Sequence, residues 1–336
     1  MKYVSGDILT DKGLEKGYIG FEKNKIIETG KGNPHKKPIC KGLIVPSFIN
    51  AHTHIGDSFI KNKKIKLPKN VKDLVGPPNG LKHRLLKEAS EEEIIEGMKF
   101  SINEMINSGV SKFIDFREGG QKGIIELKEA LGNRRDSAII LSRPMGLEYN
   151  SNEIDILLNN SEGIGLSSIS DWDYSELKKV STHVKKRKKI FAIHASENVR
   201  ENIDDILDLK PDFLVHMVKA NESDLIRIKE DNIPIVLCLR SNVFYGLKPD
   251  VKSMKKIGVK ILIGTDNAML NSPSIIDEIM FIKKNFKGFS IQELLHMVTY
   301  GIRKDLNRDC PILGAKSKAD FVVLDEKTLK PLYISV

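Results

Sequence analysis

The sequence predicts an α/β protein, a (β/α)₈ TIM barrel carrying a small β-sandwich built from both chain termini. Three observations carry this reading. From residue 43 onward, apolar runs of strand length alternate with stretches of helical periodicity, and the runs number eight. The span 45–311 fits the ~250 residues typical of such a barrel. The first 44 residues read instead as short strands broken by turns, too few to bury a core alone, and an apolar strand, 319–324, stands near the other end as their partner. The expected organisation is therefore 1–44 and 312–336 as the two parts of the sandwich, with 45–311 as the barrel.

Each element has its own signal. Tyr18–Glu22 and Lys25–Glu28 flank a turn at Asn24, and Gly30, Gly32, Asn33 and Pro34 punctuate the loop beyond. The apolar run Leu43-Ile44-Val45 leads through Pro46 into Asn50-Ala51-His52-Thr53-His54. Ser90 with Glu93 three residues on forms a capping box, and Ile94, Ile95, Met98, Ile102 and Met105 then recur at helical spacing. Strands follow at 111–116, 138–141, 163–167, 190–194, 213–216, 234–238 and 261–266, with helices read at 123–131, 154–158, 174–187, 199–207 and 223–229. The segment Pro77-Pro78-Asn79-Gly80-Leu81-Lys82-His83-Arg84 reads as a loop or lid whose cations face either the site or solvent.

Composition narrows the function classes. With 336 residues, 40% hydrophobic and 29% charged, the chain has enough material for one large domain and a small one. No apolar run approaches a membrane span and the N-terminus has no signal-peptide core, so a soluble, cytoplasmic protein without a membrane partner is expected. Cys40, Cys238 and Cys310 are too scattered for a disulfide framework or a CxxC site. The formal charge of +9 sits in lysine runs such as Lys185–Lys189 that lack interleaved aromatics, which argues against a nucleic-acid partner. Whether the chain forms a homo-oligomer stays open.

The chemistry lies at the predicted strand ends, where barrel enzymes carry their active sites. His52 and His54 are two apart on a strand and point to one face, with Cα atoms about 6.5–7 Å apart. His194, His216 and Asp266 end the fifth, sixth and eighth strands. Each alone is unremarkable; a strand-end histidine is usually a satisfied polar group, and Asp266 could cap a helix. Five converge on one rim, and three histidines with the aspartate supply N and O ligands for one Zn²⁺ or Fe²⁺ with a position left for water.

The order Asn50-Ala51-His52-Thr53-His54, His194-Ala195-Ser196-Glu197, His216 and Gly264-Thr265-Asp266 resembles the metal-dependent amidohydrolase superfamily, in the branch of chlorohydrolases and nucleobase or nucleoside deaminases. Ser241-Asn242 and the stretch Gly314–Leu324 also match. The resemblance implies that His52, His54, His194 and Asp266 hold one divalent metal, Zn or Fe. Glu197 would shuttle protons, His216 would orient or polarise the reacting centre, and Asp266 would accept the proton of the attacking water. The implied reaction is hydrolytic deamination of an amino-substituted nitrogen heterocycle by metal-bound hydroxide. Two-metal members use a lysine at the end of the fourth strand; Gly163–Ser168 contains none, so one metal is expected.

Alternatives within the superfamily are cyclic amide hydrolysis and dechlorination. A PHP-type phosphoesterase also begins with HxH, but nearer its N-terminus and without the Glu197 spacing. A catalytically dead binding protein would have lost ligands, and none is missing. Finally, Arg117, Arg143 and Arg240 follow the apolar cores of three strands, and His83 lies in the segment after the first. These are the candidate substrate-binding residues, with the small-molecule substrate carrying an anionic group that a guanidinium would grip in bidentate fashion.

Overall fold

The computed structural model describes residues 1–306 and 313–335, so that Cys310 and the expected boundary at 311/312 lie outside the described residues. The strands are β1 (Lys2–Thr10), β2 (Gly13–Glu22), β3 (Lys25–Lys31), β4 (Cys40–Pro46), β5 (Phe48–His54), β6 (Val110–Arg117), β7 (Ala138–Ser142), β8 (Gly163–Leu166), β9 (Ile190–Ala195), β10 (Phe213–His216), β11 (Ile235–Leu237), β12 (Ile261–Ile263), β13 (Asp266–Asn267), β14 (Phe321–Leu324) and β15 (Pro331–Ser335). Two compact units result. One comprises Met1–Asn50, Asn103–Lys112 and Ser274–Val336; the other comprises Ala51–Ile102 and Phe113–Pro273. Among the described residues no helix is long and apolar enough to cross a membrane.

In the first unit both termini meet in a single six-stranded sheet of order β15-β14-β4-β1-β2-β3. Val4, Ile19, Phe21, Ile26, Ile44, Phe321 and Val323 gather in one buried cluster, with the Phe21 and Phe321 rings edge to face at 5.3 Å. The run Leu43-Ile44-Val45 belongs here and not to the barrel: Ile44 pairs with Ile8 on one side and Val323 on the other. A run buried on both faces reads alike in either sheet, so sequence could not place it.

The other sheet is parallel and curled, of order β12-β11-β10-β9-β8-β7-β6-β5-β13. Its two outermost members are successive pieces of one strand. β12 pairs with β11, Leu262 opposite Val236, whereas β13 pairs with β5, Asp266 opposite Thr53. The switch occurs at Gly264-Thr265, where Gly264 N–H donates to Leu237 O and Thr265 N–H to His52 O, both at 3.0 Å. One strand thus joins the two edges and leaves neither exposed. A Cβ at Gly264 would lie 2.7 Å from His52 Cβ, which is why a glycine stands there.

The helices follow their caps. Ser90 and Glu93 exchange the expected reciprocal hydrogen bonds at 3.1 and 3.2 Å at the head of the helix Glu91–Asn107. The helix read at 199–207 begins later, at Ile203–Asp208, because Asn202 caps it by accepting from Asp204 N. The preceding turn is pinned by Glu201, whose carboxylate accepts from Ser196 N at 2.7 Å and Ser170 N at 2.8 Å. The segment read as a lid is loop only as far as Gly80; Leu81–Glu88 is a helix, with Pro77 and Pro78 just ahead of it.

Because the ring closes by that backbone approach, Gly264→Ala forces overpacking of the order of 1–3 kcal/mol beside His52. A lowered Tm together with weakened metal retention is expected; a variant with unchanged Tm and metal content would mean that closure does not depend on this glycine.

Candidate metal centre and its cavity

Closure brings Asp266 against the histidines of β5. His52 Nε2 lies 3.3 Å and His54 Nε2 3.7 Å from Asp266 Oδ1. His194, near the end of β9, places Nε2 3.2 Å from that of His52 and 3.3 Å from that of His54. His216, the last residue of β10, joins them: His52, His194, His216 and Asp266 each offer a donor atom within 4.8 Å of the others. All five side chains are buried. The backbone bends to bring them there, since Ser196, His216, Met217 and Asp266 have φ of 46°, 77°, 50° and 62°. Non-glycine residues in this region cost of order 1–3 kcal/mol each and gather at functional sites.

Hydrogen bonding orients the rings. His194 Nδ1 donates to Leu166 O at 2.7 Å. His54 Nδ1 lies 3.0 Å from Phe116 O and 2.8 Å from Glu118 Oε1, both acceptors only. In the neutral rings both Nε2 atoms therefore carry bare lone pairs, and two lone pairs 3.3 Å apart repel unless a cation lies between them. Burial, opposed in part by Asp266, pulls His52 down to about 3. Burial and the neighbouring imidazoles hold His194 well below its ordinary range, so these rings stay neutral, as metal ligands must. Asp266 Oδ1 makes no hydrogen bond, while Oδ2 accepts from Ser241 Oγ at 2.5 Å. The N···N spacings of 3.2 and 3.3 Å match the edge of about 3.3–3.4 Å that tetrahedral Zn–N bonds of about 2.0 Å require. The donor set fits a single divalent cation.

His216 is held differently. Asn242 Nδ2 donates to its Nδ1 at 3.1 Å and also reaches Glu197 Oε1 at 3.4 Å. An Nδ1 that accepts leaves the proton of the neutral ring on Nε2, which faces Glu197 Oε1 at 3.5 Å. Burial pushes the Glu197 carboxyl up to about 7 against the pull of His216.

Around these groups lies a cavity of about 360 Å³. Glu197, His54, His194, His216 and Asp266 line it, together with Lys82, Arg143, Ser167, Ser168 and Asp171. Val71, Val75 and Pro77 add an apolar portion. Of the four substrate-binding candidates only Arg143 lines it. Arg117 points the other way because the strand alternates: Phe116 packs edge-on against His52, ring centroids 4.4 Å apart, so Arg117 turns outward to Glu126 at 3.3 Å and Met98 Sδ at 3.7 Å. Arg240 donates to Ser272 O at 2.8 Å. His83 bonds Val75 O at 3.1 Å.

Its neighbour Lys82, one of the cations of the segment for which the sequence left site and solvent open, is the residue that enters. Its buried ammonium lies 2.5 Å from Glu118 Oε1, 3.0 Å from Asn267 Oδ1 and 3.9 Å from Asp57 Oδ2. Glu118 was unforeseen as a partner of His54. Burial alone would raise its pKa, yet Lys82, His54 and Arg143 hold it well below the usual carboxylate range. Such a carboxylate behind a metal-facing imidazole fixes its tautomer. The sequence signals were the place of Glu118 directly after the strand end at Arg117 and that of Lys82 in the cation-bearing segment after the first barrel strand.

Elemental analysis of protein purified without added metal should return about one equivalent of a divalent ion per chain, and chelation should lower Tm in proportion to ligand binding lost. Two equivalents in active protein would overturn the single-site reading.

With the geometry in hand, comparison with known proteins places the chain. The profile of the Amidohydrolase family matches residues 43–335. The chain is 37% identical over 324 residues to Uncharacterized protein MJ0699 of Methanocaldococcus jannaschii, covering 91% of this chain and 81% of the relative. It is 28% identical over 372 residues to a 5-methylthioadenosine/S-adenosylhomocysteine deaminase of Thermoanaerobacter pseudethanolicus, covering 96% and 80%. Among solved structures, Helicobacter pylori aminofutalosine deaminase in complex with methylthio-coformycin superposes with a TM-score of 0.75 at 18% identity, over 97% of this chain and 92% of that one. Atrazine chlorohydrolase TrzN from Arthrobacter aurescens TC1, complexed with zinc, does so with 0.73 at 15%, over 96% and 87%. The profile match over most of the sequence, joined to a buried histidine–aspartate cluster at the strand ends, means that the chain belongs to the amidohydrolase family, a metal-dependent hydrolase related to the chlorohydrolases and the nucleoside and nucleobase deaminases.

Proposed function

We propose that this hydrolase deaminates an amino-substituted nitrogen heterocycle of nucleobase, nucleoside or nucleotide type, with His52, His54, His194 and Asp266 holding one divalent cation, Zn or Fe. The observation that carries the reading is Glu197. Its carboxyl lies beside His216 and Asn242 on the cavity wall that also presents His194 and Asp266. That is where a proton donor to a ring nitrogen and to a leaving amine is needed. The deaminases among the relatives support the same reading.

The tautomers divide the histidines into two roles. His54 and His194 present bare Nε2 atoms to a cation, and His216 presents an N–H. A bound divalent cation supplies Lewis acidity that lowers the pKa of water to about 7. Asp266 takes the proton that water loses as it adds to the amino-bearing carbon. Glu197 gives its proton to the ring nitrogen, where it stays; the hydroxyl proton of the adduct then passes through Glu197 to the departing amine, and the proton taken up by Asp266 restores Glu197, so that heterocycle–NH₂ and water become the oxo-heterocycle and ammonia. His216 Nε2–H can steady negative charge as it develops on oxygen.

Two measurements test this. An ammonia-release screen across free bases, nucleosides and nucleotides, with chloride release read in parallel on halogenated rings, should find turnover with ammonia; chloride as the only product would move the assignment to dechlorination. Glu197→Gln should keep its metal and lose about 10²–10⁴-fold in turnover. In the same assay His54→Ala should lose metal and His216→Ala should retain it; equal metal loss in both would put His216 among the ligands.

A further inference from the structure

We propose that Arg143 forms an anion subsite within the cavity, taking a carboxylate or phosphate carried by the substrate. The proposal deepens the deaminase reading but rests on it only for the identity of the ring. Arg143 is 8% exposed and lines the cavity, yet among the described residues its guanidinium has no hydrogen bond and no ion pair, and its Nε is sealed from solvent. The other two arginines at strand ends are matched, Arg117 by Glu126 and Arg240 by Ser272 O.

Arg143 is left over for a structural reason. The acids within its electrostatic reach are Glu118 and Asp171. Glu118 is claimed by Lys82 at 2.5 Å and His54 at 2.8 Å. The Asp171 carboxyl, pushed up by burial, feels the Ser167 hydroxyl more than the guanidinium. Neither comes within ion-pair distance of the guanidinium. A buried cation without a partner is destabilising, and folds keep one where a ligand completes it. The planar fork of arginine suits an oxyanion, and Ser167 and Ser168 line the same stretch of cavity with further polar groups.

Binding can be read without turnover. The chain has one tryptophan, Trp172, and its Nε1 donates to Ser167 Oγ at 3.1 Å, so its fluorescence reports on this wall. The metal-loaded protein would be titrated with nicotinate against nicotinamide, and with adenosine 5′-monophosphate against adenosine. In at least one pair the anion should bind about tenfold or more tightly, and the pair that shows it distinguishes carboxylate from phosphate. Arg143→Met should reduce the preference to within about twofold while raising Tm by about 2 °C or more, since it removes an unmatched buried charge. Arg143→Lys, which keeps a charge but loses the fork, should retain a fraction of the preference and serves if the methionine variant does not fold. Equal binding within both pairs, or an anion preference that survives in Arg143→Met, or in Arg143→Lys at full strength, overturns the proposal. Failure of the deaminase reading looks different: no ammonia from any ring while the anion preference persists.

Discussion

The backbone contact of Gly264-Thr265 with His52 is the constraint on which the rest of this molecule depends. One strand leaves β11 and joins β5 within two residues, and this closes the sheet. The same step carries Asp266 to within 3.3 Å of His52 Nε2. Fold closure and assembly of the metal centre are therefore one event. The short length of the joining pieces, three residues and two, leaves little slack, and Asp266 absorbs the turn with a left-handed backbone.

Around that seam the protein settles an awkward concentration of charge. Asp57, Glu118 and Asp266 are among the carboxyl groups buried in the same unit as the histidine cluster. The Lys82 ammonium touches Glu118 and lies 3.9 Å from Asp57. Burial still pushes Asp57 up to about 8 against its pull. Glu118 in turn steadies the His54 ring from behind. A single cation on the helix Leu81–Glu88 thereby supports the His54 ring through one intermediate, as the surroundings of metal sites commonly do. Among the described residues the Arg143 guanidinium is left with neither an ion pair nor a hydrogen bond, and it faces the space a substrate would fill.

A centre of this kind is rigid where chemistry needs placement. Phe116 wedges against both His52 and His194, with ring centroids 4.4 and 5.1 Å away. The ring itself is admitted only because Gly165 has no side chain; a Cβ there would come within 2.5 Å of it. The cavity beyond combines polar and apolar walls, the ordinary make-up of a small-molecule site.

The sequence alone determined the barrel, the terminal sheet and the convergence of His52, His54, His194, His216, Glu197 and Asp266. It could do so because each of these residues follows a strand whose apolar period is legible locally, and barrel topology sends all strand ends to one rim. Only the tertiary structure decided which way the neighbouring side chains turn. Arg117 and Arg143 look equivalent in the sequence, yet strand alternation sends the first toward Glu126, whereas the second, one residue past the end of β7, lines the cavity. His83 looked the better ligand in its segment, yet the helix beginning at Leu81 directs Lys82 inward and leaves His83 on Val75 O. Leu43-Ile44-Val45 likewise went to the terminal sheet, because burial on both faces is a property of what packs around a strand and not of the strand itself. Periodicity is written in a segment, whereas the pairing of charges across segments exists only once the chain has closed.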